Sequence, residues 1–273
     1  YGMNKNQIVV GNGAAELLYA ICRLPGYTGA FVPAPGFSEY KAALEASRIP
    51  VRDIYYRPRE DEHGKPYFEV PYLALETFAA ELKGQDGRII VFLGNPNNPD
   101  GTLLDKNHIR TIASMLKDAN SLLVIDESFI DFVGNDTLQD NEYSMRSLVN
   151  EFDNIIVVHS FTKFYAVPGL RIGAAFSNPL IIEQLNSFIP TWSVNTLAQS
   201  YTEAALNDVE YVKRTKQVLH EEQLFMHNSL DTIDGITVYP PSANFMLFQV
   251  NQEGITANYI NEELKKYNMI VRN

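Results

Sequence analysis

Apolar residues return along this chain in two alternating rhythms. In one, they recur every three or four positions, the period of a helix with one buried face. This rhythm predicts helices over residues 15–23 (opened by Asn12-Gly13), 38–47, 72–83 and 104–119. Leu73, Leu75, Phe78, Ala79 and Leu82 set the spacing of the third. In the other rhythm, short runs rich in β-branched residues predict strands over 30–33, 49–56, 88–94, 121–125, 155–159 and 170–176. Strands alternating with helices imply an α/β fold: a mostly parallel sheet covered by helices. Ligands of such sheets bind at the carboxyl ends of the strands. Residues 95–98, Asp126 and Lys163 fall there.

The rhythm changes near Asn195. Helices over 196–206 and 209–230 are followed by strands over 236–239 and 244–250, a helix over 257–267 and a last strand over 269–273. The expected organisation is a large domain over 1–195, then a linker helix and a partial, smaller α+β domain over 196–273. No internal repeat or low-complexity segment interrupts it. The chain opens on Tyr1 rather than methionine, and its last predicted strand stops abruptly. The expectation is a fragment lacking an N-terminal arm and a C-terminal end.

Composition narrows the function classes. At 273 residues, 45% apolar and 20% charged, the chain reads as an ordinary globular protein with room for a large core. Acidic residues outnumber basic ones 33 to 22, and the net charge of −11 argues against nucleic-acid binding. An anionic small molecule stays open, because local arginines decide that. Cys22 is the only cysteine, so an intrachain disulfide is impossible and a reducing compartment is indicated. No apolar run reaches membrane-spanning length, so the expected location is the cytoplasm, with no membrane partner. His63, His108, His220 and His227 lack metal-ligand spacing, and no metal site is expected.

Four motifs carry chemistry. Gly11-Asn12-Gly13-Ala14-Ala15-Glu16 is a glycine turn feeding a helix, whose free N–H groups suit a phosphate as well as a plain cap. Asn95-Pro96-Asn97-Asn98-Pro99-Asp100-Gly101 is either an ordinary turn or a strand-end loop presenting the Asn98 amide to the oxygen of a pyridine ring. Asp126 closes the apolar strand Leu122-Leu123-Val124-Ile125, where a carboxylate needs a cationic partner; a pyridinium nitrogen, a salt bridge or a helix cap would serve. Asp-Glu after such a strand also occurs in nucleotide hydrolases, but the P-loop lysine motif is missing. Last, Ser160-Phe161-Thr162-Lys163 places a lysine among hydroxyls, with Arg171 eight residues on. A desolvated lysine near a second cation loses its proton readily and can form an imine with an aldehyde cofactor. The arginine can fork onto a phosphate. Together the four point to pyridoxal 5'-phosphate (PLP).

At these motifs the chain resembles the class I/II aminotransferase family of fold-type I PLP enzymes, from Tyr1-Gly2-Met3 to Val271-Arg272. The similarity lies nearest the branch of histidinol-phosphate aminotransferases and threonine-phosphate decarboxylases. It implies the aspartate-aminotransferase-like fold. It puts the backbone of Gly13, Ala14 and Ala15 on the cofactor phosphate with Ser160, Thr162 and Arg171. Phe37 would stack on the ring, Asn98 meet its hydroxyl, Asp126 its nitrogen, and Lys163 would be the Schiff-base lysine. Arg272 resembles a family arginine on the substrate anion. Family transaminases carry tyrosine three residues after the aspartate; here that position is Phe129. Phe37, Phe129 and Trp192-Ser193-Val194-Asn195 look more like the decarboxylases, whereas His159 stands where that branch often has arginine. The resemblance therefore implies decarboxylation of threonine phosphate for cobalamin synthesis, with histidinol-phosphate transamination as the alternative, a phosphorylated substrate either way, and a homodimer. A regulator built on the same fold is the non-enzyme alternative. Trp192 could line the substrate entrance or pack in the core; Tyr1 and Tyr40 are expected to be structural.

Overall fold

The computed structural model describes residues 1–84, 87–134 and 141–272. β1 (Ile8–Gly11) leads into α1 (Ala14–Ile21), and β2 (Tyr27–Ala34) into α2 (Glu39–Ala46). β3 (Val51–Tyr55) is followed by a hairpin of β4 (Arg57–Glu60) and β5 (Pro66–Glu69), then by α3 (Tyr72–Glu81). β6 (Arg88–Gly94), α4 (Lys106–Asp118), β7 (Leu122–Asp126), β8 (Ile155–Ser160), the short α5 (Phe161–Phe164) and β9 (Gly173–Phe176) complete the sheet region. After these come α6 (Pro179–Phe188), α7 (Thr196–Leu206), α8 (Val209–Asp231), β10 (Ile236–Val238), β11 (Phe248–Val250) and α9 (Ala257–Lys265).

The main sheet runs β1-β9-β8-β7-β6-β2-β3. β9 is antiparallel to both neighbours, and the other pairs are parallel. The sequence dictates this: β7 and β8 are buried at every position, as strands covered on both faces must be. Alternate residues supply two cores. Ile90, Phe92 and Val124 pack with Leu17, Leu18, Leu44 and Leu185 on the face of α1, α2 and α6. Val91, Leu93 and Ile125 pack with Leu75, Ile109, Ile112 and Leu116 on the face of α3 and α4.

Where boundaries differ from expectation, a local reason is visible. The helix expected from residue 104 starts at Lys106, because the Asp105 carboxylate caps it, accepting from the backbone N–H of Asn107 and His108 at 2.9 Å each. The strand expected over 170–176 starts only at Gly173, since Arg171 turns the chain with φ 56°. Of the strand expected over 244–250, only Phe248–Val250 pairs, with β10. Residues 269–272 form no strand: Met269 N–H closes onto Leu264 O at 3.0 Å, which ends α9 instead. Position 273 lies outside the described residues. β1 and the two hairpin strands are four residues each and were not anticipated; nor was α6, although Asn178 caps it ahead of Pro179.

One close packing point sets the active edge. Gly173 pairs across β9 with both Gly11 of β1 and Ser160 of β8. A Cβ there would lie 2.6 Å from Ala14 N, 2.8 Å from His159 O and 3.0 Å from Gly13 C, all of them backbone atoms. Only glycine lets the start of α1 lie against the end of β8. Gly173→Ala is therefore expected to cost about 1–3 kcal/mol, as overpacking does, and to lower the thermal-unfolding midpoint. An unchanged midpoint would contradict this packing.

Candidate active site

Gly94, Asp126 and Val158 are aligned across β6, β7 and β8, so these strands end together. The Asn95–Asn98 loop, Asp126 and the Ser160–Lys163 turn consequently leave the sheet at one edge. A cavity of about 130 Å3 opens there, lined by Phe37, Tyr40, Pro96, Asn98, Asp126, Ser128, Phe129, Lys163 and Arg272. Five residues expected from sequence thus share one wall: Phe37, Asn98, Asp126, Lys163 and Arg272.

Lys163 sits on α5, and its Nζ donates to Ser160 Oγ at 3.2 Å. It also stands 5.2 Å from the centre of the Phe129 ring. Burial holds the Lys163 ammonium below the ordinary lysine range; the Asp126 carboxylate opposes the shift, and the Arg171 guanidinium adds to it. The Ser160 and Thr162 hydroxyls are 2.8 Å apart, and Ser160 Oγ accepts Thr162 N–H at 3.4 Å.

Asp126 is buried, 6% exposed. Oδ2 accepts the Tyr40 hydroxyl at 3.0 Å, and Oδ1 accepts Ser128 N–H at 2.9 Å. Among the described residues it enters no salt bridge within 4.0 Å. Glu127, the next residue, is turned away from the cavity. Its carboxylate accepts Ser144 Oγ–H at 2.6 Å, Met145 N–H at 2.5 Å and Asn95 Nδ2–H at 3.2 Å. Burial raises its pKa, with the Arg146 charge opposing. Asn95 Oδ1 in turn accepts Leu104 N–H at 3.1 Å. Glu127 thus pins the loop that carries Asn98, and it is not a second cavity acid.

The remaining expected residues form an adjoining cluster. Gly13, with φ 85°, starts α1 without any side-chain cap. A Cβ on it would lie 2.5 Å from Arg171 Nη2, so the guanidinium lies directly against the turn. Ala14 is buried behind Gly173, and Ala15 is half-buried on the same helical turn, outside the cavity wall.

Tyr40 and Ser128 were not singled out as site residues from sequence. The signal for Tyr40 was its spacing: it follows Phe37 by three residues, and its N–H bonds Phe37 O at 3.3 Å, so both rings share one turn. Trp192 is 93% exposed, so it does not pack in the core, and among the described residues it is not part of the lining of this cavity. Tyr1 lies in a polar cluster on the far side of β8. Its hydroxyl donates to Asp131 Oδ2 at 3.0 Å, and His159 Nε2 stands 2.9 Å from the same oxygen. Burial pushes the Asp131 carboxyl upward, but the His159 ring, Arg146 and the Tyr1 hydroxyl outweigh it and hold it below the usual range. Among the described residues, no group of three or more His, Cys, Asp or Glu is placed to hold a metal ion. None of the described helices is long and apolar enough to cross a membrane.

A mostly parallel sheet with a half-buried lysine and a buried carboxylate at its carboxyl edge is the setting of PLP-dependent enzymes. Residues 2–272 match the family model of aminotransferase class I and II, and the chain belongs to that family, whose cofactor is pyridoxal 5'-phosphate. The chain is 32% identical over 274 residues to the adenosylcobalamin biosynthesis bifunctional protein CobDQ of Leptospira interrogans, covering all of this chain and 30% of that protein. It is 32% identical over 254 residues to the threonine-phosphate decarboxylase of Salmonella typhimurium, covering 91% of this chain and 64% of the relative. Histidinol-phosphate aminotransferases match at 27–32% identity. Among solved structures, the histidinol-phosphate aminotransferase of Clostridium acetobutylicum shares the fold with TM-score 0.82 and 24% identity, covering 98% of this chain and 74% of that one.

Proposed function

We propose that the chain is a PLP-dependent decarboxylase of L-threonine phosphate, yielding aminopropanol phosphate for cobalamin synthesis. The single observation behind the catalytic part is the shared cavity of Lys163, Asp126, Phe37, Asn98 and Arg272. The residues fit the cofactor. Asp126 is a buried carboxylate without an ion-pair partner among the described residues, as a site for a pyridinium requires. At the turn, Gly13 gives no side-chain cap of its own and has Arg171 against it, a cradle that a Cβ would fill, while the Glu16 carboxylate accepts the neighbouring Asn12 N–H at 2.6 Å.

Bound PLP supplies an aldehyde and an electron-withdrawing ring. The chain's residues do the rest. Lys163, whose ammonium burial makes easier to deprotonate, would supply the amine nucleophile and later hold or return a proton at the substrate α-carbon. Asp126 would hold a positive charge at the ring nitrogen. Phe37 would cover one face, and Asn98 would donate to the ring hydroxyl. Gly13, Ala14, Ala15, Ser160, Thr162 and Arg171 would bind the cofactor phosphate.

Which bond at the α-carbon is weakened would depend on how the substrate is held, so the group that orients the substrate selects the reaction. Arg272 binds the substrate phosphate in this reading. With the phosphate taken by Arg272, the substrate would be oriented by its phosphate end, which leaves the carboxylate as the group to be lost as CO2. Phe129 supports this choice: it puts an apolar ring 5.2 Å from Lys163 Nζ, where the resemblance places a tyrosine in transaminases. The 32% identity to a threonine-phosphate decarboxylase is in keeping with it, and a histidinol-phosphate aminotransferase matches at the same identity, so the choice rests on Phe129. We place the enzyme in the cytoplasm as a homodimer, in keeping with the lone cysteine and with the commonest oligomer.

The test is incubation of the full-length, PLP-loaded protein with L-threonine phosphate. The expected result is CO2 release without any 2-oxo acid. Turnover that requires an amino acceptor, with histidinol phosphate as the better donor, would replace this reading with transamination.

A further inference from the structure

We propose that Tyr40 is a positioning residue of this site: its hydroxyl, donating to Asp126 Oδ2 at 3.0 Å, sets the direction in which that carboxylate faces the cavity. The inference rests on the cofactor reading above and adds a residue to it. A carboxylate closing a strand can rotate about its last bond. Here both oxygens are held, Oδ1 by Ser128 N–H at 2.9 Å and Oδ2 by Tyr40. The backbone donor moves only with the chain. Among the described residues, the phenol is therefore the side chain whose bond fixes the plane of the carboxylate.

Tyr40 is itself immobilised. It is 2% exposed, stacks on Phe92 at 5.3 Å with planes 19° apart, and meets Phe37 edge-on at 5.6 Å. The same side chain thus touches the ring expected above the cofactor and the carboxylate expected beside it. Burial and the neighbouring Asp126 charge push its ionisation far upward, so the hydroxyl stays a donor. A residue that merely filled the core would need the ring alone. The hydroxyl would then be an unneeded polar atom in an apolar setting.

Tyr40→Phe keeps the ring and removes the donor, so it separates the two roles. A hydrogen bond to a charged group is strong enough that PLP should dissociate roughly tenfold to a hundredfold more readily from the variant. The absorbance maximum of bound PLP should shift, and the unfolding midpoint of the cofactor-free protein should fall, since a buried carboxylate loses a donor. In an Asp126→Asn background the same change should alter cofactor affinity by less than about threefold, because coupled residues are not additive. Wild-type affinity and an unshifted maximum in Tyr40→Phe would overturn the proposal, as would an equal effect in the Asp126→Asn background. Should Tyr40→Phe not fold, 2,3-difluorotyrosine at position 40 keeps the shape and strengthens the donor. A displaced maximum then supports the role, and an unmoved one overturns it. Failure of the wild-type protein to take up PLP at all would instead sink the cofactor reading, independently of Tyr40.

Discussion

Lys163→Ala is expected to abolish the covalent capture of PLP and to lower turnover by roughly 10²–10⁴-fold, the usual contribution of a positioned proton-transfer group. Two losses combine. The amine that attaches the cofactor is gone, and with it the one lysine that lines the cavity among the described residues. The measurement is borohydride reduction of the loaded protein followed by peptide mass analysis. Wild type should carry the adduct on Lys163, and the variant should carry none. An adduct of equal yield in the variant would refute the assignment. The pH behaviour gives an independent check. Burial pulls the ammonium below its ordinary 10.5, so the neutral, reactive form of Lys163 is present at lower pH than for a free lysine. Capture should therefore rise with pH about a midpoint under that value. Arg171 pushes the same way, so Arg171→Gln should move the midpoint up. Asp126 opposes it, so loss of the Asp126 charge should move it further down. A midpoint that ignored both changes would place Lys163 away from the two groups.

Much of this arrangement was legible in the sequence, because the signals were local. β6, β7 and β8 were readable as uninterrupted apolar runs, and their C-terminal neighbours are the polar residues of the cavity. α7 was predicted over its observed Thr196–Leu206 span, since Asn195 caps it by accepting Ala198 N–H at 2.9 Å. What stayed hidden depends on pairings remote in sequence. The four residues of β1 have no period of their own and become a strand only by pairing with β9, more than 160 residues away. The same holds at the site. Lys163 and Asp126 declare themselves by type and position, whereas Tyr40 lies 86 residues from the carboxylate it serves. A tyrosine in a helix reads as packing until its hydroxyl is seen to meet a charge. Glu127 shows the converse. It follows Asp126 directly, yet three donors from other segments turn it into the anchor of the Asn95 loop.

Asp126→Asn is expected to retain the fold and the Lys163 adduct while losing turnover by on the order of 10²–10³-fold, the scale seen when one preorganised electrostatic partner is removed. The amide is the same shape as the carboxylate, so Ser128 N–H still finds an acceptor and Tyr40 can accept from the new NH2 group. What disappears is charge. A neutral side chain no longer keeps a proton on the ring nitrogen, and the ring loses its capacity to take up electrons from the breaking bond. The attachment site reacts in the opposite sense. Without the carboxylate, the Lys163 ammonium is less stabilised, and its amine is more available at neutral pH. The two functions should therefore separate in one variant. Borohydride trapping at Lys163 should be undiminished, cofactor affinity should weaken, and product formation from L-threonine phosphate should nearly vanish. Asp126→Glu should not restore it, because a longer side chain cannot keep both the 3.0 Å bond to Tyr40 and the same reach into the cavity. Wild-type turnover in Asp126→Asn would show that the buried charge at the end of β7 is a structural ion only, and the electron-sink role would have to be given up.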